Sequence, residues 1–98
     1  MKYKISSRAR LDLISIWEFT KKNWSAQQAD RYFQIIVDKF LEISLNPDLG
    51  KNYDDLRINY RGIIVKSHII FYRITNQNSI EIIRILHQHM DYKNRLSD

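Results

Sequence analysis

The sequence has no cysteine, one proline and two glycines among its 98 residues. Without thiols it can form neither disulfides nor thiolate metal sites, which fits a reducing compartment. Gly50 and Gly62 do not have the spacing of a phosphate-binding loop. No apolar run approaches the ~20 residues of a membrane helix. The opening Met-Lys-Tyr-Lys-Ile lacks the apolar core of a signal peptide. Repeats, low-complexity tracts and interdomain linkers are missing too. There is no dense Lys/Arg block, although net charge is +5 and the pI is about 9.6. Eleven acids are spread along the chain, so the pull towards nucleic acid, acidic proteins or membrane faces is diffuse. The expectation is a single soluble cytoplasmic domain spanning residues 1–98 with no cofactor.

What is present is apolar enough to fold. Hydrophobic residues make up 44% and aromatics 12%, sufficient for one small core. The most β-branched stretch runs from Ile80 to Asp91 and suits a buried strand. Strict alternation places Arg84 with Ile80, Ile82 and Leu86, and Glu81, Ile83, Ile85 and His87 on the other face. A charge among apolar neighbours needs a partner. Glu18 and Asp91 are the plausible carboxylates, and the reading adopted is a structural ion pair.

Residues 2–6 alternate as a short strand. Ser6 or Ser7 offers an N-cap, and Ser7 to Asn23 has helical spacing. Ala9, Leu13, Ile16, Trp17 and Thr20 form its stripe, with Trp17 assigned to the core. Leu11, Ile14 and Phe19 fall outside the stripe, as in a helix packed on two sides or meeting a partner. After the break at Asn23-Trp24, Ser25 and Gln28 form a capping box for a second helix reaching Leu45. Its stripe is Ala29, Phe33, Ile36, Val37, Phe40 and Ile43, with Tyr32 beside it. Asn46-Pro47 ends it, and the two helices should form an antiparallel hairpin.

The one sizeable loop, residues 46–57, carries Pro47, Gly50, Asp48, Asp54 and Asp55, explained by turn chemistry. A metal site at Asp54 and Asp55 matches no familiar ligand spacing. Strands follow at 61–66, 68–75 and 80–88, joined by turns at Ser67 and at 76–79, as an antiparallel meander. The polar tail from Asp91 is a short helix or frayed. The outline is β-α-α-β-β-β, an α+β fold with a helix hairpin on a mainly antiparallel curved sheet.

An ordered set of residues then resembles the ParE toxins of the ParE/RelE superfamily. It comprises Asp12-Leu13 with Ile16, Asn46-Pro47 with Gly50, Leu56-Arg57, Arg61, and His68 through Tyr72-Arg73. It ends on Glu81, Arg84-Ile-Leu-His87, Met90-Asp91 and Leu96. The chain departs from the pattern at Gly62-Ile63-Ile64, where relatives carry bulkier residues. The resemblance implies a RelE-like fold and a type II toxin that poisons DNA gyrase, held in check by a ParD-type antitoxin in a hetero-oligomer. It also implies a motif of Tyr72, Arg84, His87 and Asp91.

The superfamily's other branch cleaves mRNA on the ribosome. That chemistry needs a base, an acid and cations for the phosphorane. Arg61, Arg84, His87 and Tyr92 would be the set here, with Arg57, Arg73 and His89 in reserve. Asp91 in that neighbourhood opposes phosphate binding, so gyrase poisoning is the reading preferred. The alternatives are the endonuclease and a non-toxic antitoxin-binding module. For His87 the expectation is a hydrogen bond to Asp91 or to backbone. For Tyr72 it is a core ring with a bonded hydroxyl. Leu11, Ile14, Trp24, Arg57 and Arg61 are the candidate partner contacts, Trp24 because Trp is enriched at binding hot spots.

Overall fold

The computed structural model describes residues 2–76, 79–90 and 92–96, the side chains of Asn76, Tyr92 and Lys93 excepted. The order is β1 (Lys2–Ile5), α1 (Ser7–Asn23), α2 (Ala26–Leu45), β2 (Lys51–Asn52), β3 (Tyr60–Val65), β4 (His68–Asn76), β5 (Ser79–His87) and α3 (Tyr92–Leu96). A 3-10 turn at Pro47–Leu49 precedes β2. The strands form one sheet in the order β1-β5-β4-β3-β2. β1 runs parallel to β5 and the other pairs are antiparallel. The α+β outline and the meander are therefore as expected. The two-residue β2 and the 3-10 turn were not legible in the loop's turn-rich composition.

Both helices start where the sequence places their caps. Ser6 Oγ accepts from Ala9 N at 3.0 Å, and Ser25 Oγ accepts from Gln28 N at 3.0 Å. Each satisfies one of the backbone donors that a helix start leaves without an intrahelical acceptor. The Ser6 hydroxyl also donates to Ile83 O at 2.7 Å, tying the β1–α1 junction to β5.

The main core lies between the hairpin and the sheet. Ala9, Leu13, Ile36, Phe40 and Ile43 meet Val65, Ile70, Tyr72, Ile80, Ile82 and Ile85. Side chains of this size contribute about 1.5–3 kcal/mol each when fully buried. The opposite face of the sheet carries a second, smaller core of Tyr60, Ile69, Phe71, Leu86 and Leu96, with Tyr53 and Leu56 against it. This is why Ile69 to Tyr72 reads as an unbroken apolar run: alternate residues enter different cores.

Two helical residues differ from their expected places. Phe33, at the flank of the α2 stripe on the side facing α1, is exposed and lies with Ile14 and Trp17 in a shallow outer groove. Trp17 is only half-buried, and its indole donates to Asp30 Oδ1 at 2.9 Å across the hairpin. A helix stripe is wider than the sheet beneath it, and side chains at its margins pack helix to helix.

β5 departs from strict alternation. Phe71 pairs with Arg84 but the next residue, Tyr72, pairs with Ile82, so Ile83 is an extra residue in β5. This β-bulge shifts the pattern by one. Ile85 joins Ile80 and Ile82 in the main core, while Leu86 packs with Ile83 on the other face. The expected row of Ile80, Ile82, Arg84 and Leu86 therefore does not exist.

Candidate functional site

Arg84 does have an internal partner, and it is Asp12. Nε donates to Asp12 Oδ2 at 2.8 Å and Nη2 to Oδ1 at 3.1 Å. Asp12 Oδ2 also accepts the Ile85 backbone N–H at 2.9 Å. The two side chains are 13% and 15% exposed. β1 ends beside Ile82, so the edge of β5 beyond it has no strand neighbour on that side. Ser6 N covers Ile82 O at 3.0 Å, and Asp12 covers Ile85 N. Glu18, one of the two carboxylates expected from the sequence, is exposed and sits about 9 Å further along α1 at 1.5 Å per residue. Asp91, the other, lies outside the described residues. The signal for Asp12 was present in the sequence: it is the one carboxylate on the Ala9, Leu13, Ile16 side of α1.

The other arginines of the proposed ribonuclease set also have intramolecular partners. Arg61 Nη1 donates to Gly50 O at 3.0 Å, and its Nη2 lies 3.6 Å from Asp48. Arg57 Nη1 donates to Leu96 O at 3.3 Å while its guanidinium covers the Tyr60 ring. Arg73 pairs with Glu81 at 2.9 Å. The Tyr92 side chain lies outside the described region.

Tyr72 is the fully buried ring expected. Its hydroxyl donates to Pro47 O at 2.6 Å and accepts from Gly50 N at 2.8 Å. Burial raises its pKa above the ordinary phenol value. Gly50 and Gly62 both face rings at close range: a Cβ on Gly50 would lie 2.6 Å from Tyr72 Oη, and one on Gly62 2.7 Å from Tyr53 Cε2. The Tyr53 ring, edge-on to Phe71, thus occupies the space that a bulkier residue at 62 would need. Asp54 Oδ1 accepts from Asn59 N at 2.8 Å and its Oδ2 from the Asn52 side-chain amide at 3.1 Å, so both of its oxygens are engaged within the loop.

The three histidines gather at the far end of the hairpin. His68 opens β4 opposite His87 at the end of β5, with ring centroids 5.3 Å apart. The His87 and His89 rings are 5.2 Å apart, and His87 Nδ1 accepts from His89 N at 3.2 Å. That is the backbone bond expected for His87. Tyr32 Oη lies 2.6 Å from His68 Nδ1. Burial first, then the neighbouring His87, pushes the His68 pKa down to about 4, with Asp12 pulling weakly the other way. The ring is therefore neutral at pH 7, paired through Nδ1 with the Tyr32 hydroxyl, which also lies 3.3 Å from Val65 O. These groups line a cleft of about 590 Å³ with Ser15, Ile16, Phe19, Thr20 from α1, Trp24 after it, Ser67 and Met90. No guanidinium or carboxylate lines it among the described residues. Trp24 stands at its rim, 76% exposed. The antiparallel register of β4 and β5 could have placed His68 beside His87 from sequence alone, whereas the Tyr32 contact needed the helix packing.

This geometry gives a pH prediction. The unfolded chain takes up a proton at His68 near the ordinary 6.5, and the fold resists it down to about 4. Stability should therefore fall as pH drops from about 6.5 to 4, by about 1–2 kcal/mol once solvent screening of this partly exposed ring is allowed for. Urea unfolding at pH 7 and pH 4.5 measures it. His68→Gln should flatten the slope by that amount, and an equally steep slope in the variant would refute the assignment.

The site is thus an apolar cleft floored by imidazoles, at one end of an α+β domain in which Arg57, Arg61, Arg73 and Arg84 are tied into the scaffold. A profile of the family described as the ParE toxin of the type II toxin–antitoxin system parDE matches residues 3–92. Toxin ParE1 of Mycobacterium tuberculosis is 34% identical over 95 residues, covering 97% of each chain. Toxin ParE1 of Caulobacter vibrioides is 35% identical over 94 residues, covering 96% of each. A solved structure titled as the chromosomal ParDE TA system from P. aeruginosa superposes with a TM-score of 0.77 at 19% identity, covering 89% of this chain and 95% of that one. The chain belongs to the ParE toxin family of type II toxin–antitoxin systems. The resemblance carried by Asp12-Leu13, the His68–Arg73 strand and the Arg84 to Asp91 ending reflects that membership.

Proposed function

We propose that this protein poisons DNA gyrase in the cytoplasm and is neutralised by a ParD-type antitoxin. The observation that carries the reading is full-length membership of the ParE family. The geometry supports it over mRNA cleavage: the four arginines that would stabilise a phosphorane are hydrogen-bonded to other groups of the chain rather than gathered at the histidines. Electrostatic catalysis needs such donors aimed at the developing charge. Purified protein should inhibit gyrase supercoiling and leave ribosome-bound mRNA intact, and its induction in bacteria should arrest growth with filamentation. Cleaved mRNA with untouched gyrase would favour the endonuclease. Neither activity would leave an antitoxin-binding module.

The outer face of the hairpin is the proposed antitoxin contact. Leu11 is 62% and Ile14 54% exposed, and Ile14 shares the outer groove with Trp17 and Phe33. A contiguous exposed apolar patch marks an interaction surface. Leu11→Asp with Ile14→Asp should weaken antitoxin binding at least tenfold, about 1.4 kcal/mol. Stability should stay within about 0.5 kcal/mol of wild type, as for exposed positions. Isothermal titration with the antitoxin measures the first and urea unfolding the second. Unchanged affinity would move the contact off this face.

A further inference from the structure

We infer that the histidine-floored cleft is a second docking site, separate from the outer hairpin face, and that it receives a large apolar side chain carried by an acidic segment of another polypeptide. The cleft is built for an apolar guest. Ile16, Phe19, Thr20 and Met90 are among its lining groups, and Phe19 and Trp24 are left 65% and 76% exposed. At about 590 Å³ it falls within the usual size range of ligand pockets. Its floor is polar in composition, and its imidazole His68 carries no charge at neutral pH. Tyr32 and His68 satisfy each other at 2.6 Å, and the His68 ring stays neutral. An apolar side chain settling there therefore strips water from no full charge at His68.

Charge decides what flanks that side chain. Past Thr20, Trp24 and Tyr32 the cleft continues into a shallower groove edged by Arg31 and Lys66. The two together carry two fixed cations, with no carboxylate among the described residues. Such a rim steers and holds a segment bearing Asp and Glu beside its apolar anchor. Nucleic acid fits less well, because tracking a phosphate backbone takes more cations than the two present here, and the lining is mostly apolar.

The test uses the full chain and short synthetic peptides, read by fluorescence anisotropy. One peptide is Glu-rich with a single central Phe. The others replace Phe by Ala, or every Glu by Lys. Oligothymidylate serves as the nucleic-acid control. The Glu-rich Phe peptide should bind saturably, and loss of its Phe should weaken binding at least tenfold. Trp24→Ala, at an exposed position, should weaken it at least tenfold, and so should Arg31→Glu combined with Lys66→Glu. Leu11→Asp should leave it unchanged, and the imidazole NMR signals of His68 and His87 should shift on binding. Urea unfolding confirms that each variant is folded. The inference is overturned if the Glu-rich peptide does not bind, if the Lys-rich peptide or oligothymidylate binds as tightly, or if Trp24→Ala has no effect. None of these outcomes bears on gyrase inhibition, which is assayed separately.

Discussion

Asp12→Ala should lower stability by about 3–5 kcal/mol, the usual cost of removing one member of a buried ion pair. The change abandons two donors of the nearly buried Arg84 guanidinium and the backbone N–H of Ile85. The lost bonds matter less than the stranded groups, because a buried donor without an acceptor carries its full desolvation cost. Arg84→Met should cost a similar amount, since it leaves the Asp12 carboxylate without its cation. Asp12→Asn should cost less, because an amide oxygen can still accept from Ile85 N. Urea unfolding of the two single variants and the Asp12→Ala, Arg84→Met double variant closes a cycle, and the double should cost clearly less than the sum. Growth arrest should weaken only in proportion to lost stability. Asp12→Ala within about 1 kcal/mol of wild type would refute the structural role. Arg84→Met with wild-type stability and no toxicity would move Arg84 to the functional surface.

Gly50→Ala is expected to cost about 2–3 kcal/mol, from overpacking together with strained hydrogen bonds. The backbone at Gly50 is extended, with φ of −79°, so left-handed geometry plays no part. The constraint is space: the new methyl would meet Tyr72 Oη at 2.6 Å, Tyr72 Cε1 at 2.7 Å and Gly62 O at 3.0 Å. Tyr72 cannot withdraw, because its hydroxyl is held by Pro47 O and Gly50 N and its ring is fully buried. The loop would have to lift, and with it the Arg61 contact to Gly50 O. Tyr72→Phe makes room at Oη but abandons the Gly50 N–H. Combining it with Gly50→Ala should therefore restore part of the lost stability, as read by thermal unfolding. A Gly50→Ala protein as stable as wild type would mean that the loop is not pinned by Tyr72.

Local pattern was enough for the elements, because caps, periods and breaks act over a few residues. Ser6, Ser25 and Asn46-Pro47 bound two helices by hydrogen bonding and sterics alone. The antiparallel meander follows from short turns, and the family from the order and spacing of residues between Asp12 and Leu96. Exposure of Leu11, Ile14, Phe19 and Trp24 was likewise foreshadowed by their positions outside the helical stripes or at the break.

What needed the tertiary structure were pairings between distant segments. Asp12 and Arg84 are 72 residues apart and meet because β1 stops short of the end of β5. No periodicity encodes where a neighbouring strand ends. The bulge at Ile83 has the same character: strict alternation is the default of a strand, and a one-residue insertion that turns Ile85 inward is set by the fit of two cores on opposite faces. Phe33 and Trp17 lie at stripe margins, where helix packing rather than helix period decides burial. The histidine cleft is the largest such case. Its residues come from both helices, the β3–β4 turn and the end of β5, and only the folded chain brings Tyr32 against His68. The sequence alone determined the elements, their order and the family, through short-range physics. The tertiary structure decided which charges are paired, which face each strand residue takes and where the cleft lies, because those depend on contacts closed over long loops of chain.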